Sequence, residues 1–433
     1  MEDDSGKTPA VPKRTLNIMM NALSSGVVPR RGLEFIAVGR KAETATFVRD
    51  MEDTAEGGGA FRFISGRFGN GKSFLTQMIR TNAMDKGFVV MDADLADSRR
   101  LTGSKKEGLN TYKELIKNMA VRTRPDGGAI ESVLQEWIDA ATEEATKKLG
   151  KKPDDDAVEL ILKESVADLG GLQNSRDFAK ALLSYWKDLS EGKDDIPALR
   201  WLKGEIELKR DSRKLLGVDS TIGDDNWYGF VKLWARFAVN IGYKGLIVFL
   251  DEAVVLYKLQ NKVARNNNYE RILSIFNDIM QGKSSHLSVY MCGTPEFIED
   301  PNRGLYSYEA LRSRLVGGRY ENGYDNFLGP VIRLRPLTNE EIYVLLRTIR
   351  NLHEQKYEYA SKVTDENLKE YLAAILSSVS ASMLTPREIT RDLISLLDVL
   401  KQNPDAKFED LVTGRTLEPD RNPDDDLIDD LEI

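Results

Sequence analysis

The sequence predicts an α/β fold: a parallel sheet covered by helices on both faces, with a large helical insertion and an α-helical C-terminal lid. Three observations predict it. Short apolar runs alternate with longer amphipathic stretches, the order that builds a doubly covered parallel sheet. A glycine-rich loop stands between such a run (61–65) and a helix-forming stretch that starts at Lys72. The most hydrophobic run, 245–250 (GLIVFL), ends on the acidic pair Asp251–Glu252.

Taken in order, residues 1–13 are polar and predicted disordered, and 14–35 hold a helix closed by a turn at Pro29. Residues 35–40 lead into a second helix, about 41–55, and the glycines of 57–59 make a loop. Strands follow at 61–65, about 88–91, 245–250, 287–292 and 331–334. Between the second and third strands, about 103–225 reads as a charged helical insertion, with Leu115, Met119, Val133, Leu134, Trp137 and Ile138 at near-helical spacing. Residues 227–240 read as a helix, as do about 268–280. From Thr338 the chain reads as helical to about Leu400, opening on an N-cap followed by first-turn acids. The predicted organisation is a disordered start (1–13), a core carrying the insertion (14–335), a helical lid (336–412) and an acidic tail (413–433).

Composition narrows the chemistry. The 433 residues include one cysteine, Cys292, and two histidines, His286 and His353. An intramolecular disulfide and a cysteine-pair zinc site are thereby excluded, and a multi-histidine site is disfavoured. Cys292 reads as a packed core residue. No apolar run approaches the length of a membrane span, and the acidic N-terminus lacks the basic start and apolar stretch of a secretion signal. The expectation is a cytoplasmic protein. A net charge of −8 argues against bulk adhesion to nucleic acid but leaves room for a local basic face. Lys105, Lys106, Lys147, Lys148, Lys151 and Lys152 with Trp137 could form such a face; the alternative is a solvated helical surface with Trp137 in its core. The tail reads as solvated chain, or as a docking peptide in which Leu427, Ile428, Leu431 and Ile433 interleave the acids.

The chemistry-bearing motif is Gly66-Arg67-Phe68-Gly69-Asn70-Gly71-Lys72-Ser73. It matches the phosphate-loop pattern G-x-x-x-x-G-K-[ST] at every fixed position, between a strand and a helix as that pattern requires. Glycines let backbone N–H groups converge on phosphate oxygens at a helix N-terminus. Lys72 would reach the β- and γ-phosphates, Ser73 would ligate Mg²⁺, and Phe74 follows them in the site. Asp251 stands where a strand-end carboxylate would hold the same Mg²⁺, and Glu252 would polarise the attacking water. The expected ligands are ATP and Mg²⁺, and the expected activity is ATP hydrolysis. No acceptor-site motif supports a kinase.

These motifs resemble the AAA+ ATPases, in particular the origin-recognition and Cdc6-like branch. The resemblance implies that Val38-Gly39-Arg40, upstream of Glu43, borders the adenine pocket. It implies that Thr294 is the first sensor and that Arg314, with Arg312 behind it, is an arginine finger acting on a neighbouring subunit. It also implies that Arg387, in Thr385-Pro386-Arg387-Glu388, is the second sensor. More closely, the strings ISGRFGNGKSFL, GVVPRRGLEFIAVGR and TPREITRDL resemble the BREX-system ATP-binding proteins of the BrxD family over about 15–410. That likeness implies antiviral defence, with ATP state driving assembly on DNA or the loading of a partner helicase, and a homo-oligomer or a complex with other defence proteins. Two other readings stay open: a nucleotide-gated switch with little turnover, and a protein-remodelling ATPase without a nucleic-acid role.

Overall fold

The computed structural model describes residues 10–167, 169, 171–317, 326–377 and 384–412. Residues 1–9 and the acidic tail, 413–433, lie outside them. In chain order the helices before the insertion are α1 (Lys13–Ser24), α2 (Lys41–Ala55) and α3 (Lys72–Asp85), with strands β1 (Phe61–Ser65) and β2 (Val89–Asp94). The insertion holds α4 (Glu107–Lys117), α5 (Ile130–Leu149), α6 (Asp155–Ala167), α7 (Ser175–Ser190), α8 (Pro197–Leu202) and α9 (Lys209–Leu216). Then come α10 (Trp227–Asn240), β3 (Leu246–Asp251), α11 (Val254–Lys258), α12 (Lys262–Met280), β4 (Leu287–Gly293), α13 (Pro295–Glu299), α14 (Glu309–Leu315) and β5 (Val331–Arg333). The chain continues through α15 (Asn339–Tyr357), α16 (Asp365–Leu376), α17 (Pro386–Gln402) and α18 (Phe408–Val412).

The five strands form one sheet in the order β2-β3-β4-β1-β5. β2, β3 and β4 pair in parallel, with Asp94 opposite Asp251 and Leu250 opposite Met291. β1 and β5 join through Phe63 N–H to the Pro330 carbonyl (2.8 Å) and Leu334 N–H to the Ser65 carbonyl (2.7 Å). Strand β4 is buried along its whole length, Cys292 included. This is the α/β arrangement that the sequence predicts, with the phosphate loop after β1 and the acidic pair at the end of β3.

Packing divides the chain into two units. One takes residues from Met1–Ala45, Ser65–Ile79 and Arg333–Ile433; the other is Thr46–Ile64 with Arg80–Ile332. The larger unit holds most of the sheet, the insertion and α10 to α14. Its apolar core runs from strand residues such as Phe63, Met91 and Val248 into the insertion. There Trp234 stands edge-on to Phe178 (5.2 Å), Trp201 to Phe230 (5.5 Å) and Trp137 to Phe237 (5.5 Å). Such aromatic pairs add to the stabilisation from burial alone. Trp137 therefore belongs to the core: its ring is buried and its indole N–H donates to Ser165 Oγ (2.7 Å). Lys147 and Lys148 pair with Glu143 and Glu144 one turn away on α5. The basic face that the sequence left open thus loses its aromatic member, and two of its six lysines are each neutralised by a glutamate.

The smaller unit is helical. Leu16, Met19 and Met20 of α1 share a core with Leu346, Ile349 and Leu352 of α15, Leu368 of α16, and Leu393 and Leu397 of α17. Val38, Phe74 and Met78 pack against it. Local chemistry starts each long helix of this unit's C-terminal part. Thr338, Thr364 and Thr385 each cap the helix that follows, and each donates its backbone N–H in return to the side chain of the third helical residue: Glu341, Asn367 and Glu388. Such boxes satisfy two otherwise orphaned backbone donors at each start.

Candidate nucleotide site

The phosphate loop belongs to the smaller unit. Gly69 and Gly71 hold φ of +79° and +84°, a region that side-chain-bearing residues adopt at a cost. Gly69 is fixed twice over, because a Cβ there would lie 2.0 Å from Thr385 Cγ2. Lys72 begins α3, and its ammonium donates to the carbonyls of Gly66 (2.6 Å) and Arg67 (3.1 Å). The loop thus holds its own lysine through two of its carbonyls. Ser73 and Phe68 are exposed, and Phe74 is half-buried.

Two neighbouring elements of the same unit frame this loop. The first is the 38–40 segment. Arg40 is buried; its Nη1 donates to Glu43 Oε1 (3.0 Å) and its Nη2 to the carbonyls of Asn70 and Arg335 (2.9 Å each). Gly39, at φ +70°, sits where a Cβ would lie 2.4 Å from Glu341 Oε1, at the start of α15. The second is the N-terminus of α17, where Thr385 touches the space beside Gly69. Arg387, two residues further on, is exposed and runs beside Gly26, where a Cβ would stand 3.2 Å from its Nε. One unit therefore gathers Val38, Gly39, Arg40, the 66–74 segment and Arg387, which lie far apart in the chain.

The acidic pair, Thr294 and Arg314 belong to the larger unit. Asp251 ends β3. Glu252 follows at φ +55°, its N–H donating to Asp251 Oδ1 (2.8 Å). A non-glycine residue held there stores backbone strain of the kind that clusters at functional sites. Thr294 directly follows the neighbouring strand β4 and caps α13, accepting from Phe297 N–H (3.4 Å). Its position also meets the rule that ligands of open α/β sheets lie at the carboxyl ends of strands. Arg314 is exposed on α14, with Nε donating to Asn277 Oδ1 (3.0 Å) and Nη1 to the Ala310 carbonyl (2.6 Å). Arg312 faces Glu309 at 4.0 Å.

Residues 11–416 match the family of the BREX system ATP-binding protein BrxC/D. The chain belongs to this family. No curated protein matches it. Among solved structures it is similar to the Orc1 protein of Aeropyrum pernix in complex with DNA, at 11% identity and a TM-score of 0.37, over 92% of this chain and 68% of that one. Membership of the BrxC/D family makes this an ATP-binding protein of the BREX phage-defence system. Among the described residues, no helix is long and apolar enough to cross a membrane.

Taken singly, the Ser73 hydroxyl of the smaller unit and the Asp251 carboxylate of the larger one are oxygen donors of the type that Mg²⁺ takes. Among the described residues, no cluster of three or more histidine, cysteine or acidic side chains could build an all-protein cage.

One acid beside Asp251 escaped the sequence reading. Asp94 ends β2 directly opposite Asp251. Its carboxyl is held above the usual range, first by burial and then by the negative charges of Asp251 and Asp92. The strand was expected to stop near Met91, so this acid was placed beyond it. The pattern Met91-Asp92-Ala93-Asp94, with acid and apolar residues alternating, is the period of a strand and could have found it.

Proposed function

We propose that this BrxC/D-family protein hydrolyses ATP with Mg²⁺, and that its ATP state drives assembly on DNA or the loading of a partner helicase in phage defence. The observation that carries the ATP chemistry is the phosphate loop, with two left-handed glycines and Lys72 drawn over its own carbonyls at the head of α3. The γ-phosphate would displace the weak carbonyl partners of Lys72, since a charge-assisted bond to phosphate exceeds a bond to a neutral oxygen. Gly66, Arg67, Phe68, Gly69, Asn70 and Gly71 would wrap the phosphates with backbone N–H groups, and Ser73 and Asp251 would hold the metal. When bound, Mg²⁺ would supply charge stabilisation between the β- and γ-phosphates.

Glu252 is the general base in this reading. It would accept the proton of a water aligned for in-line attack on the γ-phosphorus. Thr294 would orient that water, while Arg387, and Arg314 from a neighbouring copy, would stabilise the transferring phosphoryl group. The Arg314 role requires a homo-oligomer or a complex. The protein would act in the cytoplasm.

The test is steady-state ATP hydrolysis by the full chain, with and without single- and double-stranded DNA, with Lys72→Ala as the blank. Turnover that rises with DNA and vanishes in the blank is the expected result. Tight ATP binding with negligible turnover in every condition would replace the motor or loader by a nucleotide-gated switch. Turnover raised only by a protein partner would replace it by a remodelling ATPase.

A further inference from the structure

The resemblance implies that the 38–40 segment borders the adenine pocket, and the contacts of its arginine point to a further role. Arg40 is 8% exposed, so its charge needs a partner, and Glu43, equally buried, supplies it at 3.0 Å. Both Nη atoms of its fork are committed to protein oxygens: Nη1 to Glu43, Nη2 to the carbonyls of Asn70 and Arg335. Asn70 is held a second time, since its Nδ2 donates to the Leu334 carbonyl (3.0 Å). Just after β5, the Leu334 carbonyl thus holds the turn of the phosphate loop through the Asn70 side chain, and Arg40, anchored on the Arg335 carbonyl, holds it through the backbone.

The geometry of the peptide bond gives this a consequence. In a planar trans peptide, the carbonyl and the N–H point in opposite directions. A guanidinium that draws the Asn70 carbonyl one way therefore aims the Gly71 N–H the other way, and Gly71 at φ +84° allows that orientation. Nor does the pair add net positive charge for phosphate, because Glu43 neutralises Arg40.

We infer that Arg40 is a positioning residue: through the Asn70 carbonyl it sets the Gly71 N–H toward the phosphates, and it contacts neither base nor ribose. The inference rests on the reading of 66–73 as a phosphate-binding loop. It requires an arginine, because one planar group must reach two carbonyls and a carboxylate together, which an ammonium on a flexible stem cannot reproduce.

The experiment measures the affinity of the full chain for ATP, AMP and inorganic tripolyphosphate, each by competition against a fluorescent ATP analogue. Arg40→Lys should weaken ATP and tripolyphosphate by the same factor, about tenfold or more, and leave AMP unchanged. The melting temperature without nucleotide should move little. A loss in ATP and AMP with tripolyphosphate unchanged would mean that Arg40 meets the nucleoside, and would overturn the inference. So would three unchanged affinities. If Arg40→Lys does not fold, Asn70→Ala removes the Leu334 bond alone; it should show the same split at smaller size, and unchanged tripolyphosphate affinity would overturn the inference. Lys72→Ala separates the two levels. Wild-type tripolyphosphate affinity in that variant would bring down the phosphate-loop reading and this inference with it. Weakened affinity there, with Arg40→Lys unchanged, would bring down the Arg40 brace alone.

Discussion

At the residue scale, Glu252 combines strain with chemistry. Its φ of +55° would suit glycine better than glutamate. If its carboxylate is the base, the strain persists because the side chain is needed there. Glu252→Gln should keep ATP affinity while turnover falls by about 100-fold or more, and unchanged turnover would remove it as the base. Glu252→Gly should lose turnover equally but gain about 1 kcal/mol of stability from relief of the backbone; thermal denaturation would report it. Arg314→Ala should depress turnover in the assembled state by about 100- to 1,000-fold, and wild-type turnover in that variant would end the finger reading. Among these residues the sequence shows chemical type and spacing but not direction. That Arg40 turns to the Asn70 and Arg335 carbonyls depends on partners 30 and 295 positions away, and no local pattern encodes such a pair.

At the scale of elements, strands and helices were largely legible, because each is specified by its own periodicity and its own ends. Helix α10 falls at 227–240 as expected, and the cap read at Thr338 closes a reciprocal box with Glu341. What could not be read is which faces meet. The apolar stripe of α1 shows that Leu16, Met19 and Met20 need cover, yet it does not say that α15 and α17 provide it, more than 300 residues later. The start of α17 is likewise more than a cap. Thr385→Ala should cost about 1 kcal/mol by loss of the N-cap bond to Glu388 and should also loosen the packing against Gly69. Gly69→Ala should be worse, since it adds a left-handed penalty to a Cβ that meets Thr385 at 2.0 Å. Denaturation midpoints with and without ATP would rank the two, and a Gly69→Ala protein as stable and as tight for ATP as wild type would contradict this packing.

For the whole molecule, stability of the smaller unit should depend on pH through His353. This ring is fully buried, with Nδ1 at 2.8 Å from Tyr359 Oη and Nε2 at 3.0 Å from Asp398 Oδ1. Burial lowers its pKa below the ordinary value, although Asp398 pulls the other way. A histidine depressed in the fold binds its proton more readily when unfolded. Its contribution is therefore present above the unfolded value, about 6.5, and is lost as pH falls through the folded one. Wild type should lose stability between about pH 7 and 5 more steeply than His353→Asn; parallel pH profiles would contradict this. Removal of residues 1–24 should cost the same unit several kcal/mol, because three buried side chains of α1 go with it, at roughly 1.5–3 kcal/mol each.

The three separate stretches of chain that make up the smaller unit also set a timetable for synthesis. The ribosome releases the glycine loop early, but the Leu334 carbonyl that accepts from Asn70, the Arg335 carbonyl that anchors Arg40, and the Thr385 that abuts Gly69 come only after residues 80–332. At roughly 5–20 residues per second, translation of that stretch takes on the order of 10–50 s. A nascent or prematurely terminated chain would carry the motif without its clamp. Only a chain translated past Thr385 could compete for cellular ATP.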